Sequence, residues 1–227
     1  MNLQIIHPEG WRFVRIFGIT TVVLFFLSIP LGEIGVILTL WCLYFFRNPE
    51  RVVPNRKGLI VSPADGKITS IQEIIPPEEW NIGSEPRTRI SIFLNVFDVH
   101  LNRIPIQSQV RKIIYYQGKF INASLDKSSE HNERNTLILD IDDNQSIAVT
   151  QIAGLIARRI KCDVHPYQQT KTGELFGLIR FGSRTDVYLP VGINSLVIEG
   201  QRMIGGETVL GDLNSHESSR QALIFED

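Results

Sequence analysis

Residues 16–46, bracketed by Arg15 and Arg47, contain one charged side chain, Glu33. Such a run is too apolar for an exposed coil and longer than the roughly 20 residues that one helix needs to cross a hydrocarbon core. Pro30, Gly32 and Gly35 interrupt it near the middle. It is therefore either one tilted spanning helix, or two shorter helices over 16–29 and 34–46 that form a hairpin turning at Pro30-Leu31-Gly32-Glu33. The hairpin is favoured, because each half has the length of a re-entrant or interfacial segment, with Trp11, Trp41 and Tyr44 suited to the headgroup level. Arg12 and Arg15 ahead of the run suggest a signal peptide, but a second apolar run follows directly and no small-x-small site follows Ser28. A helical pair buried in a soluble core is the remaining alternative. Arg47, Arg51, Arg56 and Lys57 outnumber the positive charges before the run, which places the following domain on the cytoplasmic face of the cell membrane.

From residue 58 the chain changes character. Short β-branched runs punctuated by turn residues predict strands over 59–62, 67–74, 88–94, 109–116, 135–141, 146–151, 175–179, 186–189, 196–198 and 208–212. The expected fold is mainly β, a sandwich or distorted barrel of short strands, with an N-terminal apolar helical membrane segment over 1–57 and the β-rich domain over 58–227. The polar stretch 122–135 reads as a mobile loop, and 153–159 as a short helix.

Several function classes are excluded early. A net charge of −1 gives no basic excess to attract nucleic acid. The two cysteines, Cys42 and Cys162, are far apart, which rules out a disulfide scaffold, a thiolate zinc site and an iron–sulfur cluster. His7, His131, His165 and His216 lack ligand spacing, so no metal is expected. Gly58 to Lys67 is not a phosphate loop, because Val61 stands where that motif needs glycine.

Three segments hold candidate chemistry. Ser62-Pro63-Ala64-Asp65-Gly66-Lys67 is a strand end entering a turn, where an Asp before Gly is ordinarily a turn residue. In the stretch 95–105, Asp98, His100 and Arg103 interrupt an apolar run. Phe181-Gly182-Ser183-Arg184 lies between two predicted strands, and Gly-Ser alone is only a turn dipeptide. Taken together, an Asp, a His and a Ser are the types that activate a hydroxyl: a carboxylate orients the imidazole, and the imidazole takes the hydroxyl proton. Spacing does not show that they meet.

The combination of Phe46-Arg47-Asn48-Pro49 after an apolar segment, Ser62-Pro63-Ala64-Asp65-Gly66, the 97–105 stretch and Phe181-Gly182-Ser183-Arg184 resembles the phosphatidylserine decarboxylases, in particular their short subclass. The resemblance implies a self-processing proenzyme in which the bond between Gly182 and Ser183 breaks without hydrolysis. It would leave a β chain of residues 1–182 and an α chain of 183–227 that stay associated, with Ser183 converted to a covalent pyruvoyl group. That cofactor would form a Schiff base with the serine amine of phosphatidylserine and release CO2 and phosphatidylethanolamine. By motif position, Ser183 matches the nucleophile and Asp65 the charge-relay aspartate. Longer members carry two histidines three apart; here His100 takes the first position and Arg103 the second. His100 is thus the base the motif offers. Arg103 cannot serve as a base and is expected on the substrate phosphate or carboxylate. Arg184 stands where longer members commonly have Thr, and is either a substrate contact or a solvated strand residue.

The partners implied are the phospholipid and the membrane, without nucleic acid; a homo-oligomer is compatible with this reading. Alternatives are a sibling decarboxylase acting on an archaeal-type ether lipid, a soluble pyruvoyl decarboxylase for a small amino acid, which the apolar segment disfavours, and a non-enzymatic membrane-tethered lipid-binding β module. The last has no need of Asp65, His100 and Gly182-Ser183 together.

Overall fold

The computed structural model describes residues 5–118, 132–154, 159–180 and 182–223. The chain divides into two compact units, one comprising the chain to Glu50 with Val96–Val99, the other Arg51–Asn95 with the chain from His100 onward.

The first unit is a helical hairpin of α1 (Pro8–Leu27) and α2 (Ile29–Phe45). His7 caps α1 by accepting the Glu9 amide hydrogen at Nδ1, and Pro8 and Glu9 suit a first turn whose N–H groups have no helical partner. Only Ser28, in extended conformation, separates the helices. The turn expected at 30–33 is thus the first turn of α2. Pro30 is at home there, since the N–H it lacks would have been unsatisfied anyway. Gly32 and Gly35 are contact residues rather than breakers. A Cβ on Gly32 would lie 2.1 Å from the Phe25 ring, and one on Gly35 would lie 3.0 Å from the Thr21 Cα. Thr21 and Thr39 share a hydroxyl hydrogen bond of 3.0 Å across the helices, while each also bonds a carbonyl one turn back. The open end of the hairpin is tied by the His7 amide on the Phe46 carbonyl, the Asn48 amide on the Ile5 carbonyl, and a stack of Phe13 on Phe46.

The outer faces remain apolar, with Ile16, Ile19, Val22, Phe26, Ile37 and Leu40 exposed. Only 6% of the most apolar stretch of α1 is buried. At 1.5 Å per residue, the 20 residues of α1 extend about 30 Å. It is long and apolar enough to cross a membrane; α2, at 17 residues, is shorter.

The second unit is mainly β, as expected. Its strands are β1 (Leu59–Val61), β2 (Gly66–Ile74), β3 (Arg87–Leu94), β4 (Leu101–Arg103), β5 (Ser108–Tyr116), β6 (Arg134–Asp140), β7 (Ser146–Ala153), β8 (Ile160–Cys162), β9 (Gln169–Thr170), β10 (Leu175–Ile179), β11 (Ser183–Tyr188), β12 (Arg202–Met203) and β13 (Val209–Asp212). Eight of them form one antiparallel sheet in the order β12-β2-β3-β11-β7-β6-β5-β9, which curls as half of a barrel. The order β4-β10-β8 makes a second sheet, and β1 pairs with β13.

The middle strands are covered on both faces, so every residue of β7 is buried. One face carries the main core of Ile90, Ile92, Leu137, Val149, Val187 and Phe176 among others. The other packs Trp80, Ile82, Ile138, Ala148 and Tyr188, with Trp80 edge-on to Tyr188.

Three expectations about this unit need correction. Residues 196–198 are not a strand; they run as a loop stitched by Ser195 Oγ to the Val197 carbonyl and by the Leu196 amide to the Leu210 carbonyl. The strand expected at 186–189 starts at Ser183, three residues earlier, because Arg184 and Asp186 neutralise each other and can be buried. Part of the expected loop 122–135 is strand, since β6 starts at Arg134, and its residues 122–131 lie outside the described residues, as do 155–158 of the expected helix.

Candidate active site

The residues around Ser183 meet because the chain changes sheets there. β10, ending at Ile179, belongs to the small sheet and β11, opening at Ser183, to the large one, so the chain turns a corner between them. Gly182 has φ +61°, in the left-handed region that a residue without Cβ adopts readily. Among the described residues a Cβ there would meet nothing within 4 Å, so the backbone angle favours glycine. Ser183 then opens β11 in the middle of the large sheet, opposite Leu94 of β3 and Ala153 of β7.

β4 supplies the histidine. It runs antiparallel to β10, with Leu101 opposite Leu178, and the pairing continues through the Ile179 amide on the His100 carbonyl. This carries His100 to the corner, where its Nε2 accepts the Gly182 amide hydrogen at 3.3 Å. The accepting Nε2 is thus the unprotonated nitrogen. His100 is 2% exposed and Ser183 0%. Among the described residues the Ser183 hydroxyl has no hydrogen-bond partner, which is unusual for a buried oxygen. Sequence motifs far apart thus place an imidazole nitrogen on the amide that precedes a buried hydroxyl.

Asp65 is not part of that contact. Ser62 closes a tight turn by bonding the Ala64 carbonyl, and the turn is held by the Arg103 amide on the Pro63 carbonyl and the Gly206 amide on the Ser62 carbonyl. Gly66 is required next, because a Cβ there would stand 2.2 Å from the Phe93 carbonyl oxygen. Asp65 projects from this turn with one oxygen on the Gly205 amide at 2.7 Å and the other on Arg51 Nη2 at 2.8 Å. It makes no hydrogen bond to His100. Arg103, which follows on β4, donates to the Gly173 carbonyl. Burial and the neighbouring Arg51 charge lower the Arg103 pKa, while Asp65 and Glu207 oppose them. Asp65 therefore belongs to a cluster with Arg51, Arg103 and Glu207, and His100 to the corner. Nothing in the sequence marked Arg51 beyond its charge.

Arg184 lies on the face of the sheet away from Ser183, since neighbours on a strand alternate. It is 1% exposed and forms a buried ion pair with Asp186 at 2.8 Å. Both it and Arg103 were candidate substrate contacts; only Arg103 shares the Asp65 side of the fold. Tyr188, next on that outer face, has its pKa pushed up to about 12 by burial and the Asp186 charge, against the opposing effect of Arg89.

A row of buried amides next to Ser183 escaped the sequence reading. Thr185, Gln151 and Asn135 face one another across β11, β7 and β6, and Asn102 of β4 lies against them. The available signal was polar residues inside strands otherwise apolar, which is weak without knowing which strands are neighbours. A cleft of about 560 Å³ elsewhere in this unit is lined by Val53, Arg56, Lys57, Ile106 and Lys171 among others, and by none of Asp65, His100 or Ser183. Among the described residues no group of His, Cys, Asp and Glu side chains is arranged to hold a metal.

The chain is similar to known proteins over most of its length. The family profile described as phosphatidylserine decarboxylase matches residues 38–211. A relative from Cereibacter sphaeroides named phosphatidylserine decarboxylase proenzyme is 56% identical, over 94% of this chain and 92% of its own. Proteins of the same name from Ruegeria pomeroyi and Rhodospirillum rubrum are 56% and 52% identical, over 93% and 96% of this chain and 96% and 93% of theirs.

Proposed function

Since the chain belongs to the phosphatidylserine decarboxylase family, we propose that it is a proenzyme that cuts itself between Gly182 and Ser183 and then decarboxylates phosphatidylserine to phosphatidylethanolamine. The observation that carries the reading is His100 Nε2 on the Gly182 amide, one residue before the buried Ser183 hydroxyl, which has no hydrogen-bond partner among the described residues.

Ser183 Oγ attacks the Gly182 carbonyl carbon and its proton passes to a base, for which His100 is the neighbouring group. The peptide C–N bond breaks, the Ser183 nitrogen leaves as an amine, and Gly182 is held as an ester on Oγ. Removal of the Ser183 α proton then expels the Gly182 carboxylate by β-elimination. The dehydroalanine left at 183 takes up water and loses ammonia, which gives the pyruvoyl group. A dry site favours elimination over hydrolysis of the ester, and Ser183 is fully enclosed in the continuous chain.

When present, the pyruvoyl carbonyl supplies the electron sink that binds the headgroup amine and accepts the electrons released with CO2. The residues around it are the chain's own. His100 is assigned to proton transfer at the corner. Arg103 is assigned to the substrate phosphate or carboxylate, with Asp65 and Arg51 fixing its surroundings, so that Asp65 acts through the arginines rather than as a direct partner of His100. Arg184, committed to Asp186, is assigned to the fold. Association of the two chains after the cut is supported by β11, which would belong to the α chain yet lies between β3 and β7 of the β chain. The apolar hairpin is assigned to membrane association, which keeps the acyl chains near the bilayer.

The test is the denaturing intact mass of protein purified from membranes. Two chains divided after Gly182, the smaller one with pyruvoyl in place of serine, are expected. Ser183→Ala is expected to remain uncut and without decarboxylase activity, and activity surviving that change would end the reading. His100→Ala is expected to mature far more slowly; cleavage at the normal rate would remove His100 from processing.

A further inference from the structure

Ser183 is bracketed by two side chains from the same strand edge. His100 immediately precedes β4 and Asn102 lies within it, two residues on, and both side chains reach the β11 end. His100 reaches Gly182, one residue before Ser183, and Asn102 Nδ2 donates to Thr185 Oγ1 at 3.2 Å, two residues after it. Asn102 is itself fixed, because its Oδ1 accepts from Gln151 Nε2 at 2.8 Å, and Gln151 Oε1 accepts from Asn135 Nδ2 at 3.0 Å. Asn102, Thr185, Gln151 and Asn135 are all buried. Each amide thus has its donor and acceptor roles set by the next, which leaves Asn102 one orientation.

We infer that Asn102 and Thr185 are positioning residues that hold the reacting end of β11 against His100, before and after the cut. The inference rests on the reading of Ser183 given above. In the continuous chain, Gly182 and Thr185 tie both sides of Ser183 to β4. Once the bond between Gly182 and Ser183 is broken, the contact through Gly182 no longer restrains residue 183, which becomes a chain end. Chain ends fray unless tied down. The bond from Asn102 to Thr185 then lies two residues from the new terminus, on the face that carries the reacting group. It complements the backbone ladder to β3 and β7, which fixes β11 within the large sheet but does not join it to β4.

Thr185→Val removes the hydroxyl at nearly constant volume, and Thr185→Ser keeps it. Thr136→Val serves as the control for stability alone. It removes a buried hydroxyl bond of the same kind, Thr136 to Thr150 at 2.9 Å, from the opposite face of the same sheet. Maturation is followed by the appearance of the small chain on gels, and kcat and KM are measured on the matured fraction with phosphatidylserine in mixed micelles. Displacement of a reacting group by about 1 Å is worth on the order of 100-fold. Thr185→Val is therefore expected to mature about 10- to 100-fold more slowly and to lose about tenfold or more in kcat with KM little changed. Thr185→Ser is expected to restore both, and Thr136→Val to lower the melting temperature without altering either. Asn102→Ala breaks the same bond from the β4 side, should show the same split, and replaces Thr185→Val if that variant does not accumulate. Wild-type maturation and kcat in both variants would overturn the inference, as would an equal loss in Thr136→Val. Failure of wild-type protein to break at Gly182 would instead remove the reading of Ser183 on which it rests.

Discussion

Gly182→Ala isolates the backbone angle at the corner from every other property of the site. Among the described residues the added methyl meets nothing within 4 Å. What changes is the preference at φ +61°, which an L-residue with a Cβ adopts at a cost of about 1–2 kcal/mol relative to its ordinary conformations. If the Gly182 carbonyl reaches Ser183 Oγ only from that conformation, the reactive population falls by the same free energy. At 1.4 kcal/mol per tenfold, maturation slows about 5- to 30-fold. Asparagine tolerates the left-handed region better than alanine, so Gly182→Asn should recover much of the rate despite its greater bulk. The assay is a pulse–chase of the three proteins, with uncut and cut chains separated on gels and His100 left intact. Alanine and asparagine variants that both mature at the wild-type rate would refute the role given to the corner angle. A block common to both would show that bulk at 182, not conformation, controls the step.

Gly66→Ala should act through space instead. Its Cβ would stand 2.2 Å from the Phe93 carbonyl oxygen, so β2 and β3 must part, at about 3 kcal/mol or more. Melting in detergent should fall by at least about 6 °C, and a fall under 2 °C would contradict the packing described. Arg184→Met leaves Asp186 buried without its ion-pair partner and should destabilise by about 3–5 kcal/mol, read as a lower denaturant midpoint. The double change Arg184→Met with Asp186→Leu should recover most of that. Tyr188, with its folded-state pKa raised to about 12, contributes stability that is present below the unfolded value near 10 and lost as pH rises from there towards 12. Ultraviolet titration should show one tyrosine ionising last, and Tyr188→Phe should remove that step and flatten the alkaline loss of stability.

The apolar run, with Pro30, Gly32 and Gly35 near its middle, predicted a hairpin of two apolar helices, and α1 and α2 form one. The position of the turn was another matter. Pro30 and the glycines look like breakers in a linear string, but a proline in a first helical turn and a glycine against a facing side chain both belong inside the helix. The choice depends on which helix lies opposite. The strands of the second unit were legible where β-branched runs were long. The short ones, β4, β8, β9 and β12, exist only because a neighbour pairs with them, and β4 is the one that brings His100 to the site.

The four motifs carried the family, and motif position named Asp65, His100, Gly182 and Ser183. Sequence identity fixes which functional groups are available, since the residue types are covalent facts. Which of them touch is decided by strand order and by the change of sheet between β10 and β11, which join positions 82 residues apart. The tertiary structure alone set His100 on the Gly182 amide, gave Asp65 to Arg51 and the Gly205 amide, and turned Arg184 to the far face. It alone linked Asn102 to Thr185. Hydrogen bonds act over about 3 Å, and distances on that scale come from packing, not from spacing along the chain.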